Sequence, residues 1–499
     1  MYPPRLIAGI LCALALAPAS RAQCFSFAHD GVLGTSLDLK VTAPDAELAE
    51  RAETAILAEI RRLDGMLSAH RRDSDFMRFA ESRRAARLPS ELLEVLARCD
   101  HWGQATKGAF DPAFERQAQT PSTKAEEAPA ATLEASVRPP EPAYASPWRL
   151  DPEAGTATMV DDVGVSIDAL AKGYIVDRAC AVGLACDPSV TGIVVNIGGD
   201  LFVAGEIAER VGVTDPRHPA DNADPLCVLS IEGHAVATSG GYARSVAETP
   251  PAADHRAPKS SHILDPDTGK SVEGVISATV IAPTCVDADA LATALNVMPC
   301  RQGMALVESL PAFEAVIVES DGKAHFSSGI QALRADGDPP AADVAPPGAV
   351  ADTGLEVVLR FSMRGPTAKD RRSYRRPYVA AWIEDAEGDP VRTLCLWIEG
   401  RRWLRDLKTW YRLHRNDPEL IDTVSRATRR PGEYELVWDG KSNDHADLPA
   451  QDYVLCLEIA REHGTHQLMR VPVALAGAQE ISVAPNEEIA RATVLVRAK

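Results

Sequence analysis

The sequence predicts an α+β domain followed by a smaller all-β domain. In the first part of the chain, strand-like and helix-like patterns follow each other, as where a strand at Ile276–Ile281 leads into an Ala- and Leu-rich helix. Beyond residue 353 the patterns are strand-like, with polar and glycine-containing turns between them. Residues 335–353 are rich in Pro, Ala, Gly and Asp without periodicity, which indicates a linker. We therefore expect domains at 23–334 and 354–499.

Length and composition are those of an ordinary globular protein. The 499 residues suffice for two or three domains, and 45% of them are hydrophobic. The net charge of -19 argues against non-specific nucleic-acid binding, because the phosphate backbone would be repelled.

Residues 1–22 have the pattern of a signal peptide. A short apolar core, Leu6–Ala17, precedes the small-x-small sequence Ser20-Arg21-Ala22. This predicts cleavage after Ala22 and export to the periplasm. Cys24 leaves lipid anchoring as an alternative, but Arg21 and Gln23 do not suit that processing. We therefore expect membrane association only through a partner or through such an anchor.

The ten cysteines show no metal-binding spacing. Loss of Cys12 with the signal peptide would leave nine (10 − 1 = 9), and an odd number implies at least one free thiol in an oxidising compartment. None of them has the pattern of a catalytic cysteine.

The predicted helix from Cys285 carries two oxygen donors on one face. Asp289 and Thr293 are four residues apart, and Asp287 lies at the helix start, where a carboxylate suits unpaired amides. A carboxylate beside a hydroxyl suits a hard cation such as Mg²⁺. The structural alternative is a capping Asp and a Thr bonded to its own backbone.

Five stretches of the chain stand out in order: GAFDP (Gly108–Pro112), ALAKGYIVDRA (Ala169–Ala179), VNIGGD (Val195–Asp200), ATSGG…SHILDPDTG (Ala237–Gly269) and DALATA (Asp289–Ala294). Together they resemble motifs of the FAD:protein FMN transferases, or ApbE-type flavin transferases. The resemblance covers roughly residues 30 to 330 and implies a T-fold-like flavin transferase domain. It also implies transfer of FMN from FAD to a Ser or Thr hydroxyl of an exported acceptor protein, with release of AMP.

The resemblance assigns roles to individual residues. Mg²⁺ would be bound by Asp289, Thr293 and the backbone carbonyl of Ala169. His262 would be the general base and Asp265 would orient it, since an imidazole titrates near neutral pH. The implied FAD-binding residues are Leu33, Ala109, Phe110, Asp111, Ser166, Lys172, Asn196, Gly198, Gly199, Thr238, Ser239 and Ile263.

The chain departs from the family pattern at Ser166, Asp168 and Gly241, and a Pro-, Ala- and Ser-rich insertion at 115–147 replaces a Trp-containing stretch. Two alternative functions therefore stay open. In one, water attacks FAD and the products are free FMN and AMP. In the other, the chain is a non-enzymatic periplasmic flavin-binding or interaction protein.

The second domain is predicted to be an immunoglobulin-like β-sandwich of unknown role. Its strand-like runs begin at Leu355, and it resembles a predicted periplasmic domain often found beside flavin transferases. The run Asp422–Thr428 resembles the acceptor sequence of these enzymes, so Thr428 is a possible flavinylated residue. The alternative is an ordinary loop before the strand at Tyr434–Trp438.

Overall fold

The computed structural model describes six stretches of the chain, with short internal gaps. Among the predicted site residues, His262, Ile263 and Asp265 lie outside them, as does Gly241. The described stretches are 22–113, 144–217, 223–240, 274–335, 355–365 and 375–498, and the gaps within them are at 83, 161–162, 224, 399–400, 418–419, 422–423, 427, 430, 444–445, 447, 450, 463 and 476.

The first part of the chain mixes strands and helices. The strands are β1 (Gln23–Val32), β2 (Thr35–Ala43), β3 (Ala86–Arg87), β4 (Trp148–Asp151), β5 (Thr156–Met159), β6 (Gly192–Ile197), β7 (Asp200–Gly205), β8 (Ala208–Val213), β9 (Cys227–Glu232), β10 (Ala235–Gly240), β11 (Val275–Ala282), β12 (Glu314–Glu319) and β13 (Ala324–Phe326). The helices are α1 (Ala46–Leu67), α2 (Asp75–Glu81), α3 (Ser90–Ala105), α4 (Asp168–Ala185), α5 (Cys285–Val297), α6 (Cys300–Ser309) and α7 (Ile330–Leu333).

An eight-stranded antiparallel sheet in the order β1-β2-β6-β7-β10-β11-β12-β13 organises this domain. Because side chains alternate along a strand, the sheet has two distinct faces. The helix face, with Val195 and Val280, packs against α1, α4 and α5. The hairpin face, with Val194 and Ile281, is covered by the β8–β9 hairpin and α7.

Helices α4 and α5 approach each other very closely. A Cβ atom at Gly173 of α4 would lie 2.3 Å from the carbonyl oxygen of Cys285 and 2.8 Å from the Cα of Val286. Both are backbone atoms at the start of α5, so a side chain at this position would force the helices apart.

The second part of the chain is built from two sheets with a common core. Its strands are β14 (Leu355–Met363), β15 (Tyr378–Glu384), β16 (Pro390–Trp397), β17 (Ser425–Arg426), β18 (Gly432–Trp438), β19 (Asp452–Ala460), β20 (His466–Ala474), β21 (Gln479–Val483) and β22 (Ile489–Ala498). One sheet has the order β18-β14-β22-β21 and the other β17-β16-β15-β19-β20. Phe361 and Trp438 of the first sheet share the core with Trp397 and Leu457 of the second.

An aromatic helical segment covers the outer face of the five-stranded sheet. It consists of a 3₁₀ helix (Arg401–Asp406) and α8 (Lys408–His414). Trp410 is fully buried there against Trp382. This segment therefore contributes to the core of the second domain.

Two predicted boundaries are wrong. Tyr144, placed in the flexible insertion, donates its hydroxyl to Asp100 Oδ1 at 2.9 Å. Ala335, placed in the linker, is buried, and its amide donates to the Val228 carbonyl.

Over the part of the chain that the structure describes, the helices are too short or too polar to cross a membrane.

The closeness of α4 and α5 predicts the effect of one added methyl group. Gly173→Ala should destabilise the first domain by about 1–3 kcal/mol, the usual cost of overpacking a rigid contact. In α1, Gly65→Ala is the matched control, because nothing lies within 4 Å of its added Cβ. That change should stabilise the helix by up to about 1 kcal/mol. Urea-induced unfolding of both variants measures the difference, and equal effects would contradict the packing argument.

Candidate functional site at the α4–α5 contact and the Gly198–Gly199 turn

The carboxylate of Asp289 lies at the contact between α4 and α5. It is 7% exposed, and its Oδ2 accepts a hydrogen bond of 3.2 Å from the Gly173 amide. In an α-helix the amide of residue 173 also faces the carbonyl of residue 169. The carbonyl oxygen of Ala169 and the carboxylate of Asp289 are therefore both directed toward the Gly173 amide. Thr293, one helical turn further along α5, is half-buried on the same face.

Asp287 has a structural role. Thr284 is the N-cap of α5, and its hydroxyl donates to Asp287 Oδ2 at 2.6 Å. Two residues of α3 hold the other oxygen: Arg98 Nη1 at 3.0 Å and Trp102 Nε1 at 2.9 Å. These partners fix the start of α5 and leave Asp289 as the acidic residue that faces α4.

Asp177, which the sequence analysis did not single out, also fixes the start of α5. Its two carboxylate oxygens accept hydrogen bonds from the amides of Cys285 (2.7 Å) and Val286 (2.9 Å). Burial raises the pKa of this carboxyl to about 7, although the two amide bonds act in the opposite direction. Its position within the motif ALAKGYIVDRA could have marked Asp177 as a residue of interest. Only the fold shows that it caps the helix that begins at Cys285, 108 residues further along the chain.

Lys172 connects the helices to the glycine turn. Its Nζ lies 2.5 Å from Asp200 Oδ2, a carboxylate that is only 2% exposed. Asp200 directly follows Gly198 and Gly199, which form the turn from β6 to β7 with φ of 61° and 101°. Left-handed φ values favour glycine, which accounts for the two glycines at this turn. Lys172 is adjacent to Gly173, and the Asp289 region is therefore continuous with this turn.

A pocket opens on the hairpin face beside the same turn. Asn196, Gly198 and Gly199 line one side of it, and Thr238 and Thr279 line another. The two threonine hydroxyls are 2.9 Å apart. Asn196 also accepts a hydrogen bond from the Gly199 amide through its Oδ1. The structure thus brings these predicted residues together, with Thr279 as an addition.

A second pocket lies at the turn between β1 and β2. Leu33, at a φ of 47°, lines it together with Leu57 and Ile60 of α1. This turn lies against the glycine turn, because a Cβ at Gly198 would be 2.6 Å from the Thr35 methyl carbon. The two pockets are therefore neighbours on either side of Gly198.

Thr238 and Ser239 point to opposite faces of the sheet, because they are consecutive in β10. The Ser239 carbonyl accepts a hydrogen bond of 3.0 Å from Asn296 Nδ2 of α5. Asn296 is 1% exposed and was not predicted. It attaches the end of β10 to the helix that carries Asp289.

Other predicted residues do not reach either pocket. The Phe110 side chain is 3% exposed and belongs to the apolar core, and Ala109 packs against that core. Asp111 accepts a hydrogen bond from the nearby Ala113 amide, so it stabilises its own turn. Ser166 lies in the turn before α4, where its hydroxyl accepts a hydrogen bond from the Asp168 amide and its own amide donates to the Pro112 carbonyl.

Thr428 is placed differently from an acceptor residue. It is 2% exposed, so its hydroxyl is not accessible to an enzyme in the folded domain. Flavinylation of Thr428 would require local opening of the domain, and it stays a prediction.

Comparison with known proteins agrees with this arrangement. Residues 33–317 match the model described as the ApbE family. The chain belongs to the ApbE family. The predicted resemblance is thus confirmed, and residues 362–491 match a second model, described as a predicted periplasmic protein (DUF2271).

Individual ApbE-family relatives are distant in sequence. The FAD:protein FMN transferase of Salmonella typhimurium is 27% identical over 312 residues, which are 58% of this chain and 83% of the relative. The enzyme of the same name from Treponema pallidum is 27% identical over 324 residues, 60% of this chain and 86% of its own. A crystal structure of the ApbE protein from Thermotoga maritima has the same fold, with a TM-score of 0.51 and 24% identity, and covers 63% of this chain and 100% of that one.

The raised pKa of Asp177 predicts a pH dependence of stability. The folded-state pKa of about 7 lies above the unfolded value of about 3.9, so the folded state binds more protons between these values. The contribution of Asp177 to stability should therefore decrease as the pH rises from about 4 to 7. Asp177→Asn should remove this decrease, because the amide does not titrate.

Urea-induced unfolding of the first domain at pH 5 and pH 7 measures this difference. Asp187→Asn is the control, because Asp187 is half-buried at the end of α4 and its pKa is lowered by its hydrogen bonds to Ser189. An unchanged pH slope in Asp177→Asn would exclude Asp177 as its source.

Proposed function

We propose that this chain is a periplasmic, Mg²⁺-dependent FAD:protein FMN transferase. It would transfer FMN from FAD to a Ser or Thr hydroxyl of an exported acceptor protein and release AMP. The observation that carries the proposal is the position of Asp289, hydrogen-bonded to α4 and continuous with Lys172 and the Gly198 turn. The names of the curated relatives, which are FAD:protein FMN transferases, support the same activity.

The two pockets suggest how FAD is bound. We infer that the isoalloxazine lies against Leu33, Leu57 and Ile60, whose side chains give an apolar wall. The adenosine would occupy the hairpin-face pocket, where Asn196 and Thr238 offer hydrogen bonds. The phosphates would then pass over the Gly198 turn. Because Gly198 and Gly199 have no side chains, the backbone of this turn is accessible to a ligand.

The oxygen donors near the phosphates fit Mg²⁺. A carboxylate from Asp289, a hydroxyl from Thr293 and a carbonyl from Ala169 are hard ligands, and together they carry a single negative charge. Mg²⁺ bound there would offset the charge of the pyrophosphate and orient it. Lys172 lies beside the same turn and would contribute a second positive charge to the phosphates.

The chemical step requires an activated hydroxyl. The acceptor oxygen attacks the FMN-side phosphorus, a new O–P bond forms, and the bond between that phosphorus and the AMP oxygen breaks. The proton of the hydroxyl would pass to His262, which Asp265 would orient. AMP leaves as the anion.

The finer fold assignments belong to the same proposal. We infer a T-fold-like architecture for the first domain and an immunoglobulin-like one for the second. Export would follow cleavage after Ala22, with lipid anchoring at Cys24 as the alternative. Cys24 is exposed on the edge strand β1.

The proposed function is tested with purified protein, FAD, Mg²⁺ and an exported protein that carries the acceptor sequence. We expect covalent flavin fluorescence on the acceptor and an equal amount of AMP, both abolished by EDTA. Free FMN and AMP without labelled acceptor would instead indicate a hydrolase. Bound FAD without any product would indicate a flavin-binding protein.

Substitution of Asp289 distinguishes a loss of metal binding from a loss of folding stability. Asp289→Asn retains an oxygen that can accept from the Gly173 amide but removes the charge, so Mg²⁺-dependent turnover should fall by at least about 100-fold. Stability should be nearly unchanged. Asp287→Asn is the comparison: it weakens the bonds to Arg98 and Trp102, so it should lower stability by about 1–3 kcal/mol and largely retain turnover. Retained turnover in Asp289→Asn together with lost turnover in Asp287→Asn would refute the assignment of Mg²⁺ binding to Asp289.

The proposed base predicts a specific kinetic loss. His262→Ala should slow FMN transfer by roughly 10²–10⁴-fold, the usual effect of losing proton transfer. FAD affinity, measured by flavin fluorescence quenching, should persist. His234→Ala serves as the control, since His234 bonds the Glu232 carbonyl in the β9–β10 turn. Weakened FAD binding at an unchanged rate would make His262 a binding residue instead.

A further inference from the structure

A cluster of three different metal-ligating side chains lies at the far edge of the eight-stranded sheet. Cys300, Glu319 and His325 each offer one ligand atom, and these atoms lie within 4.8 Å of one another. They come from the start of α6, the end of β12 and the edge strand β13. The proposed flavin site has its pockets at β1–β2 and β6–β7, so this cluster has no part in it.

The backbone holds each of these residues in place. Ile317 pairs with His325 across the β12–β13 ladder, so Glu319 and His325 point to the same side of the sheet. Their side chains are in contact, with His325 Nε2 at 2.6 Å from Glu319 Oε2. Cys300 follows the N-cap Pro299, whose carbonyl accepts from the Gly303 amide.

The cluster is partly open to solvent. Cys300 is 8% exposed, and its Sγ lies within 4.8 Å of the ligand atoms of Glu319 and His325. Glu319 and His325 are partly exposed, with 34% and 28% of their side-chain surface accessible, which leaves an entry path for an ion.

We propose that Cys300, Glu319 and His325 bind one Zn²⁺ ion. A thiolate, an imidazole and a carboxylate are the ligands that zinc takes in proteins, whereas Mg²⁺ and Ca²⁺ prefer oxygen alone. Bond lengths of about 2.0–2.3 Å place tetrahedral ligand atoms roughly 3.5 Å apart, so rotation of these side chains closes the site. Three protein ligands leave the fourth position to water.

Zinc at this position would have two effects. It would tie the first turn of α6 to the β12–β13 hairpin and so raise the thermal midpoint of the domain. It would also protect the Cys300 thiol, which is not in a disulfide, from oxidation in an exported protein.

The test uses the full chain carrying Asp289→Asn, so that the proposed Mg²⁺ site does not contribute to the result. After incubation with Zn²⁺ and desalting, metal analysis should find one zinc per chain. Adding Cys300→Ser or His325→Ala should reduce retained zinc at least about 10-fold. The matched controls Cys186→Ser and His234→Ala change half-buried or exposed residues outside the cluster and should retain zinc.

Cobalt identifies the ligand set directly. Co²⁺ in place of Zn²⁺ should give a thiolate charge-transfer absorption that Cys300→Ser abolishes and Cys186→Ser does not. Circular dichroism verifies that the variants fold, and His325→Gln provides a second, more conservative removal of the imidazole. Failure of the Asp289→Asn chain to retain zinc, or equal retention in all variants, would overturn the proposal. Neither result would bear on FMN transfer.

Discussion

The candidate site depends on the contact between α4 and α5. The amides at the start of α5 are held by Asp177, a carboxylate of α4, and the missing side chain of Gly173 lets the two backbones meet. This contact positions Asp289, because its carboxylate can accept a hydrogen bond from the Gly173 amide only where the backbones of the two helices are close together. Since Asp177 is half-buried, its hydrogen bonds to the amides are stronger than they would be in water.

The sequence predicts the parts of this arrangement that depend on local patterns. The helix from Cys285 and the glycine turn at Gly198 follow from propensity and from the need for left-handed backbone. Motif order also makes Lys172 and Asp289 candidate site residues. Strand β1 has no clear strand pattern in the sequence, because Gln23–Val32 mixes polar and glycine residues with apolar ones near the predicted signal peptide.

Long-range partners could not be predicted in the same way. Asp177 has no local pattern that distinguishes a helix-capping carboxylate from a surface one, and its partners are 108 and 109 residues away. The cluster of Cys300, Glu319 and His325 could not be predicted from local patterns either. The spacing of these residues, 19 and 6 positions, matches no compact metal-binding motif, and only the fold brings them together. Phe110 shows a different limit, because its motif position does not reveal that its side chain is buried in the apolar core.

Strand β1 also determines the distance between Cys24 and the pocket that Leu33 lines. The strand begins at Gln23 and ends at Val32, where the pocket with Leu33 lies. Cys24 and Val32 are eight residue steps apart, which is at most roughly 27 Å at about 3.4 Å per residue, because the β1–β2 ladder is irregular between Asp30 and Val32. If a lipid were attached at Cys24, the strand would act as a rigid spacer nearly as long as the hydrocarbon core of a bilayer is thick. A bulky acceptor protein could then approach the pocket from the side away from the lipid surface.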